Sequence, residues 1–243
     1  PDLTKISDRF SLTHFPVILR YGLVWTSVHG RDFEHNNIPV LDTWDDAEHQ
    51  SILPPFVDIA GSSGRQLEGF IDVAHFAWVH HEAFADRDNP VVPKYHTEKT
   101  AYGLKSTYIS GVSNYPHALK HLEPEGFEWK RTFEIYPPFS AILTVDFPEN
   151  GVLKILNACC PVSVNQTRLF VPLTRNFDQT GDLQAVYDFN AQIFAEDQEI
   201  VESQKPEELP LDLMMEAHFE ADRSSTTYRR ILADWGLSKR YTV

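Results

Sequence analysis

The sequence predicts an α+β fold in which helices pack on an antiparallel sheet. From Thr97 to Leu173, strand patterns follow one another with no helical period between them, and such a succession builds an antiparallel sheet. On either side of that block, residues 67–81 and 182–204 repeat apolar residues at three- and four-residue steps, the mark of amphipathic helices lying on a core. The chain's 243 residues can bury one substantial core or two small ones, and 42% hydrophobic with 12% aromatic content is that of a globular chain.

In chain order, PDLTKISDRF at the start has no basic-then-apolar signal pattern. Residues 17–28, VILRYGLVWTSV, form a β-rich run around Tyr21, Val24 and Trp25, and residues 29–50 read as a polar, solvated connector with Asp42, Asp45, Asp46 and Glu48 around Trp44. Pro54, Pro55 and a GSSG turn precede LEGFIDVAHFAWVHH, a helix whose apolar stripe is Leu67, Phe70, Ile71, Ala74 and Trp78. DRDNP at 86–90 ends that element, and Thr97–Ile109 alternates as a strand. Residues 114–126, with Pro116, Pro124 and Gly126, form a long loop and a candidate lid. Phe127, Trp129, Phe133 and Ile135 alternate with polar residues as a half-buried strand, Arg131 being the misfit. Residues 141–147 and 152–160 flank PENG, whose Asn150-Gly151 is a strong hairpin signal, and Pro172 makes 167–173 an edge strand. In the 182–204 helix the inward face is Leu183, Val186, Ile193, Phe194, Ile200 and Val201; Asp197 falls inside this stripe, while Glu196 and Glu199 point away. A last helix carries Tyr228, Ile231, Leu232 and Trp235 on one face, with Gly236 as its stop.

Composition narrows the function. A net charge of −14 argues against nucleic-acid or anionic-membrane binding, and no run of about eighteen apolar residues suggests a membrane span. The only cysteines, Cys159 and Cys160, are adjacent, so they provide neither a long-loop disulfide nor a spaced zinc framework, and they read as small apolar residues of a strand.

The chemistry concentrates in the first helix. Glu68, Asp72 and His75 recur at i, i+4 and i+7 beside the apolar stripe, followed by His80 and His81. Carboxylates and imidazoles so near a buried face cost desolvation unless they are paired or bind something. A single histidine in such a place is ordinarily a hydrogen-bonded core or surface residue; D-x2-H-x4-H as a whole points to a metal. His75 and His80 stand about 140° apart on an ideal helix, so both reach one ion only if the helix ends, tightens or bulges between them.

E-G-F-I-D-V-A-H-F-A-W-V-H resembles the iron-binding motif of the catalytic domain of Rieske non-haem iron oxygenases (aromatic-ring-hydroxylating oxygenase α subunits). The resemblance implies that His75 and His80 bind a mononuclear Fe(II). It implies that Asp72 bridges an iron-bound histidine to a Rieske-cluster histidine of the neighbouring subunit. Relatives often have asparagine at the position of Glu68, and His81 has no counterpart in the motif. F-A-E-D-Q-E-I-V-E-S-Q is similar to the segment carrying the family's third iron ligand, here Asp197, with Glu196 as fallback. Ala221-Asp222-Arg223 and Tyr228-Arg229-Arg230 also look like family sequence and read as structural. The fold so implied is helix-grip, an antiparallel sheet wrapped around a long helix.

The Y-G-L-V-W stretch resembles the end of a Rieske domain, so residues 1–50 are expected to be the end of that region plus a connector, and 51–243 the catalytic mononuclear-iron domain. Two adjacent cysteines cannot hold a [2Fe–2S] Rieske cluster, which is therefore expected on a domain outside this chain. Two imidazoles and one carboxylate make the facial triad of non-haem Fe(II) oxygenases. The implied enzyme is a mono- or dioxygenase that hydroxylates or oxidatively demethylates an aromatic or other hydrophobic substrate. Phe76, Val79, Ile193 and Phe194 are its expected pocket walls, because they neighbour the ligands. The implied partners are a ferredoxin or NAD(P)H-dependent reductase and further copies in a homotrimer; the implied location is the bacterial cytoplasm. Two other readings stay open: a metal-free helix-grip protein binding a hydrophobic ligand, and a zinc hydrolase using the same triad with Glu68 as general base.

Overall fold

The computed structural model describes residue 10 and residues 12–28 and 38–237, so the readings of residues 1–9 and of 29–37 within the connector lie outside the described residues. The chain divides into two compact units, 1–40 and 41–243. In the first, β1 (Val17–Arg20) and β2 (Leu23–Thr26) pair as an antiparallel hairpin. Tyr21 and Gly22, both at positive φ, make the two-residue turn whose twist suits a hairpin.

In the second unit, nine described strands form one sheet with antiparallel pairing throughout: β3 (Gln50–Ile52), β4 (Val57–Ile59), β5 (His96–Lys99), β6 (Leu104–Ser110), β7 (Trp129–Tyr136), β8 (Ser140–Phe147), β9 (Gly151–Ser163), β10 (Gln166–Phe170) and β11 (Leu173–Arg175). The order is β3-β11-β9-β8-β7-β6-β5, with β10 bridging the far end of β9 to β4. α1 (Ser63–Ile71) rests on β8, β9 and β10 and touches α3 (Leu183–Ser203) and α4 (Arg223–Asp234). The architecture is thus the α+β helix-grip arrangement.

Period-two burial makes β7 a wall of the core: Trp129, Arg131, Phe133 and Ile135 are buried on one face. Leu67 and Ile71 of α1 are fully buried in the same core, each contributing about 2–3 kcal/mol by removal from water. α1 comes close to α3 because Gly61 and Gly69 face Val201; a Cβ on Gly61 would lie 2.9 Å from its Cγ1. Gly236, at φ +73, ends α4 as expected.

Several elements differ from the sequence reading. The helix expected over 67–81 is two: α1 stops at Ile71, and a short turn, α2 (Phe76–Val79), follows. Trp78 is 59% exposed, so the apolar stripe does not continue into α2. The supposed connector is structured at its end, where Leu41 is buried, Lys154 reaches Asp42 at 2.5 Å and β3 pairs with β11. The 97–109 strand is a hairpin of β5 and β6, and a 3₁₀ segment, His117–Leu122, occupies the 114–126 loop. In the β8–β9 hairpin the positive-φ residues are Glu149 and Asn150, one position before the Asn-Gly pair. Pro172 marks the break between β10 and β11, and β11 lies inside the sheet between β3 and β9 because the missing N–H falls between strands. On α3 the ends of the stripe, Leu183 and Ile200, are exposed, and Cys160 is exposed beside buried Cys159.

Candidate metal centre

Asp72 creates the break that the site requires. As the C-cap of α1 it takes an extended ψ of 140°, ending the helix. Its carboxylate then accepts the backbone N–H groups of Ala74 (3.1 Å) and His75 (3.0 Å), a local turn that aspartate forms readily. The chain re-enters a helical turn with His75 at its start and His80 at its end. Their rings meet edge to face with centroids 4.9 Å apart, and the Nε2 atoms are 3.1 Å apart. The helix therefore ends before His75, not between the two histidines.

α3 brings Asp197 to the same point: its Oδ1 lies 3.1 Å from Nε2 of His80 and 3.5 Å from Nε2 of His75. Among the described residues, His75, His80 and Asp197 form the group of ligand-type side chains able to hold a metal ion. Each imidazole has a carboxylate at its other nitrogen: Asp72 Oδ2 at 2.9 Å from Nδ1 of His75, and Glu196 Oε2 at 2.8 Å from Nδ1 of His80. An ionised carboxylate only accepts, so both Nδ1 atoms donate and both Nε2 atoms present lone pairs. Three acceptors, two lone pairs and a carboxylate oxygen, then face one another at 3.1 to 3.5 Å. They repel unless a cation sits among them, and about 3 Å is the spacing of neighbouring ligands around an ion bound at ~2.1 Å. The residues fit a metal.

The local charges agree. Burial alone would raise the Asp72 carboxyl, but the hydrogen bond and charge of His75 and the two backbone N–H groups outweigh it, and the net direction is down. For His75 burial lowers the pKa, but the hydrogen bond and charge of Asp72 and the charge of Asp197 outweigh it, and the net direction is up.

Of the cavities that border the cluster, two contain Asp197 as well as His75. The larger, about 580 Å³, is lined on the sheet side by residues such as Leu143 and Ile155 and on the helix side by Phe76, Ile193 and Phe194. His75, His80 and Asp197 stand in its wall. The smaller, about 330 Å³, contains Asp72, Val79, Glu68 and Arg229 together with His75 and Asp197. Val79, expected in the apolar wall, lines the smaller cavity on the Asp72 side and not the larger one.

Glu68 is also placed differently from a base poised at a metal. Arg229 holds it in a two-pronged contact, 2.7 Å at each oxygen, and Arg65 lies 3.5 Å away. Glu216 joins both arginines, at 2.6 Å to Arg229 and 2.5 Å to Arg65. With its lone pairs committed to guanidinium groups, Glu68 is a structural ion-pair partner. Glu196, expected to point away, instead reaches His80; a carboxylate next to Asp197 and one residue round the helix was the signal available. Phe84, stacked on His80 with centroids 5.1 Å apart, carried no sequence signal, and neither did the contact of Arg131 with the carbonyls of Val112 and Ser113.

The family described as Vanillate O-demethylase oxygenase C-terminal domain matches residues 60–237. The methylxanthine N1-demethylase NdmA of Pseudomonas putida is 26% identical over 232 residues, covering 95% of this chain and 63% of the relative. The N3-demethylase NdmB of the same organism is 24% identical, covering 96% of this chain and 63% of its own length. Among solved structures, Pseudomonas putida NdmA with caffeine superposes with a TM-score of 0.76 at 23% identity, over 94% of this chain and 63% of that one. Dicamba monooxygenase bound to dicamba gives 0.74 at 14% identity, over 90% and 68%. The chain thus spans 63% of the length of the two demethylases it matches.

Proposed function

The chain belongs to the vanillate O-demethylase oxygenase C-terminal domain family of Rieske oxygenases, and from that premise we propose that it is the catalytic domain of an oxygenase that removes a methyl group oxidatively from an aromatic or heteroaromatic substrate. The observation that carries the reading is the convergence of His75 Nε2, His80 Nε2 and Asp197 Oδ1, with both Nδ1 atoms tied to carboxylates. This donor set suits Fe(II) in a facial triad. Held by these three residues, iron would supply the activation of oxygen.

The protein's own part is positioning. Phe76, Ile193 and Phe194 give the substrate an apolar, water-poor chamber beside the triad. Asp72 holds His75 in the Nδ1–H tautomer and faces the smaller cavity, away from that chamber. Substrate and electrons therefore approach from different sides. For a methyl ether the overall change is substrate, O2, two electrons and two protons going to phenol, formaldehyde and water. The electrons come from outside, through a [2Fe–2S] Rieske domain of a neighbouring copy at Asp72, fed by a ferredoxin or NAD(P)H-dependent reductase, in a bacterial homotrimer. The names of the relatives, methylxanthine demethylases, support demethylation over ring dihydroxylation.

The test is product analysis on the iron-loaded chain given a chemical reductant, O2 and either a methoxybenzoate or a methylxanthine. The expected result is one formaldehyde per demethylated product, dependent on both iron and O2. Turnover that persists without either would overturn the reading.

A further inference from the structure

α3 grips both edges of one imidazole with consecutive residues. Asp197 lies 3.1 Å from Nε2 of His80, and Glu196 accepts from its Nδ1 at 2.8 Å. The other oxygen of Glu196 accepts from the Gln192 amide, one helical turn earlier, at 3.0 Å, so the carboxylate is held from its own helix. The ring between them is buried, with Phe84 stacked on its face. His80 thus cannot turn over without losing Glu196, and it cannot move its proton to Nε2 without presenting a bare Nδ1 to a carboxylate. His75 is restrained in the same way by Asp72, but through a carboxylate on its own turn; His80 depends on a residue 116 positions away.

We propose that Glu196 is a positioning residue for the metal: it fixes the tautomer and plane of His80, adds negative charge to the imidazole, and locks α3 in register so that Asp197 arrives on the opposite nitrogen. The proposal rests on the metal-centre reading given above. Glu196 touches no substrate and need not touch the ion. A carboxylate on the far nitrogen of a ligating histidine is worth 10–100-fold in metal affinity in comparable sites, and a residue that also sets the position of its neighbouring ligand belongs at the upper end.

The experiment measures Fe(II) affinity of the full chain by anaerobic competition with a chromogenic chelator, alongside the electron paramagnetic resonance of the nitric oxide adduct. E196A should weaken Fe(II) binding about 10–100-fold and replace a single adduct signal with a mixture. E196Q, which keeps an acceptor for Nδ1–H but not the charge, should recover the single signal and only part of the affinity. The two variants should melt within a few degrees of the parent without metal. If E196A binds Fe(II) as the parent does and gives the same adduct signal, Glu196 has no positioning role. If E196A fails to fold, E196Q alone decides: parent-like affinity would overturn the charge contribution. A parent that binds no Fe(II) would overturn the metal-centre reading itself, and this proposal with it.

Discussion

At the residue scale, the buried Arg131 shows how a charged side chain is held inside the core, although one of its terminal nitrogens has no hydrogen-bond partner. Arg131, the misfit of its strand, is 1% exposed, yet burial pushes its pKa down only to about 10, so it remains a cation. One of its terminal nitrogens donates to the carbonyls of Val112 (3.0 Å) and Ser113 (2.9 Å), tying the loop at 112–116 to the sheet. The guanidinium also lies over the Phe76 ring, 5.4 Å from its centroid. R131M should therefore destabilise the chain by about 1.5–3 kcal/mol, because two buried carbonyls lose a charged donor; urea denaturation measures this, and an unchanged midpoint would show the loop to be held otherwise. The sequence marked Arg131 as odd but not why, since its acceptors lie on a loop whose path no periodicity records. His75 was legible for the opposite reason: its partner Asp72 is three residues away, and a carboxylate at that spacing acts locally, whereas the partner of His80, Glu196, is 116 positions away.

At the element scale, the first helix ends where its chemistry starts. The spacing of His75 and His80 required a break; its position was set by the side chain of Asp72 capping the next turn, which competes with helix continuation. The long helix α3 was legible almost to the residue, but its period assigned Glu196 to the solvent face, although long side chains reach around a helix. The ion-pair network of Arg65, Glu68, Glu216 and Arg229 joins α1 to α4 and to the segment at 205–222, and nothing local in the sequence pairs residues so far apart. Burial would raise the Glu216 carboxyl, but Arg65 and Arg229 outweigh it and the net direction is down. Its contribution is then present above the unfolded value, near 4.5, and lost as pH falls through the lower folded value. E216Q should melt below the parent at about pH 7, with the gap closing as the pH approaches 3. A gap independent of pH would mean that charge on Glu216 is not what holds the segment.

At the scale of the whole molecule, the sheet order and the separation of two cavities by one cluster explain why the site has two sides. The apolar chamber of about 580 Å³ lies between the sheet and α3, and the polar one of about 330 Å³ lies beside the arginine network, with His75 and Asp197 in the walls of both. The strand succession made the antiparallel sheet readable, because alternation is local; the cavity walls contributed by Leu143, Ile155 and Phe189 were not, because they come from strand pairings and a helix face distant in sequence. On the proposed function, two histidines and one aspartate from separate helical segments hold one ferrous ion. Its most direct test is the iron stoichiometry of the anaerobically reconstituted chain beside H75A, H80A and D197A. The parent should hold one Fe(II) per chain and each variant should lose tight binding; iron retained at full stoichiometry and affinity in any of the three would contradict the triad.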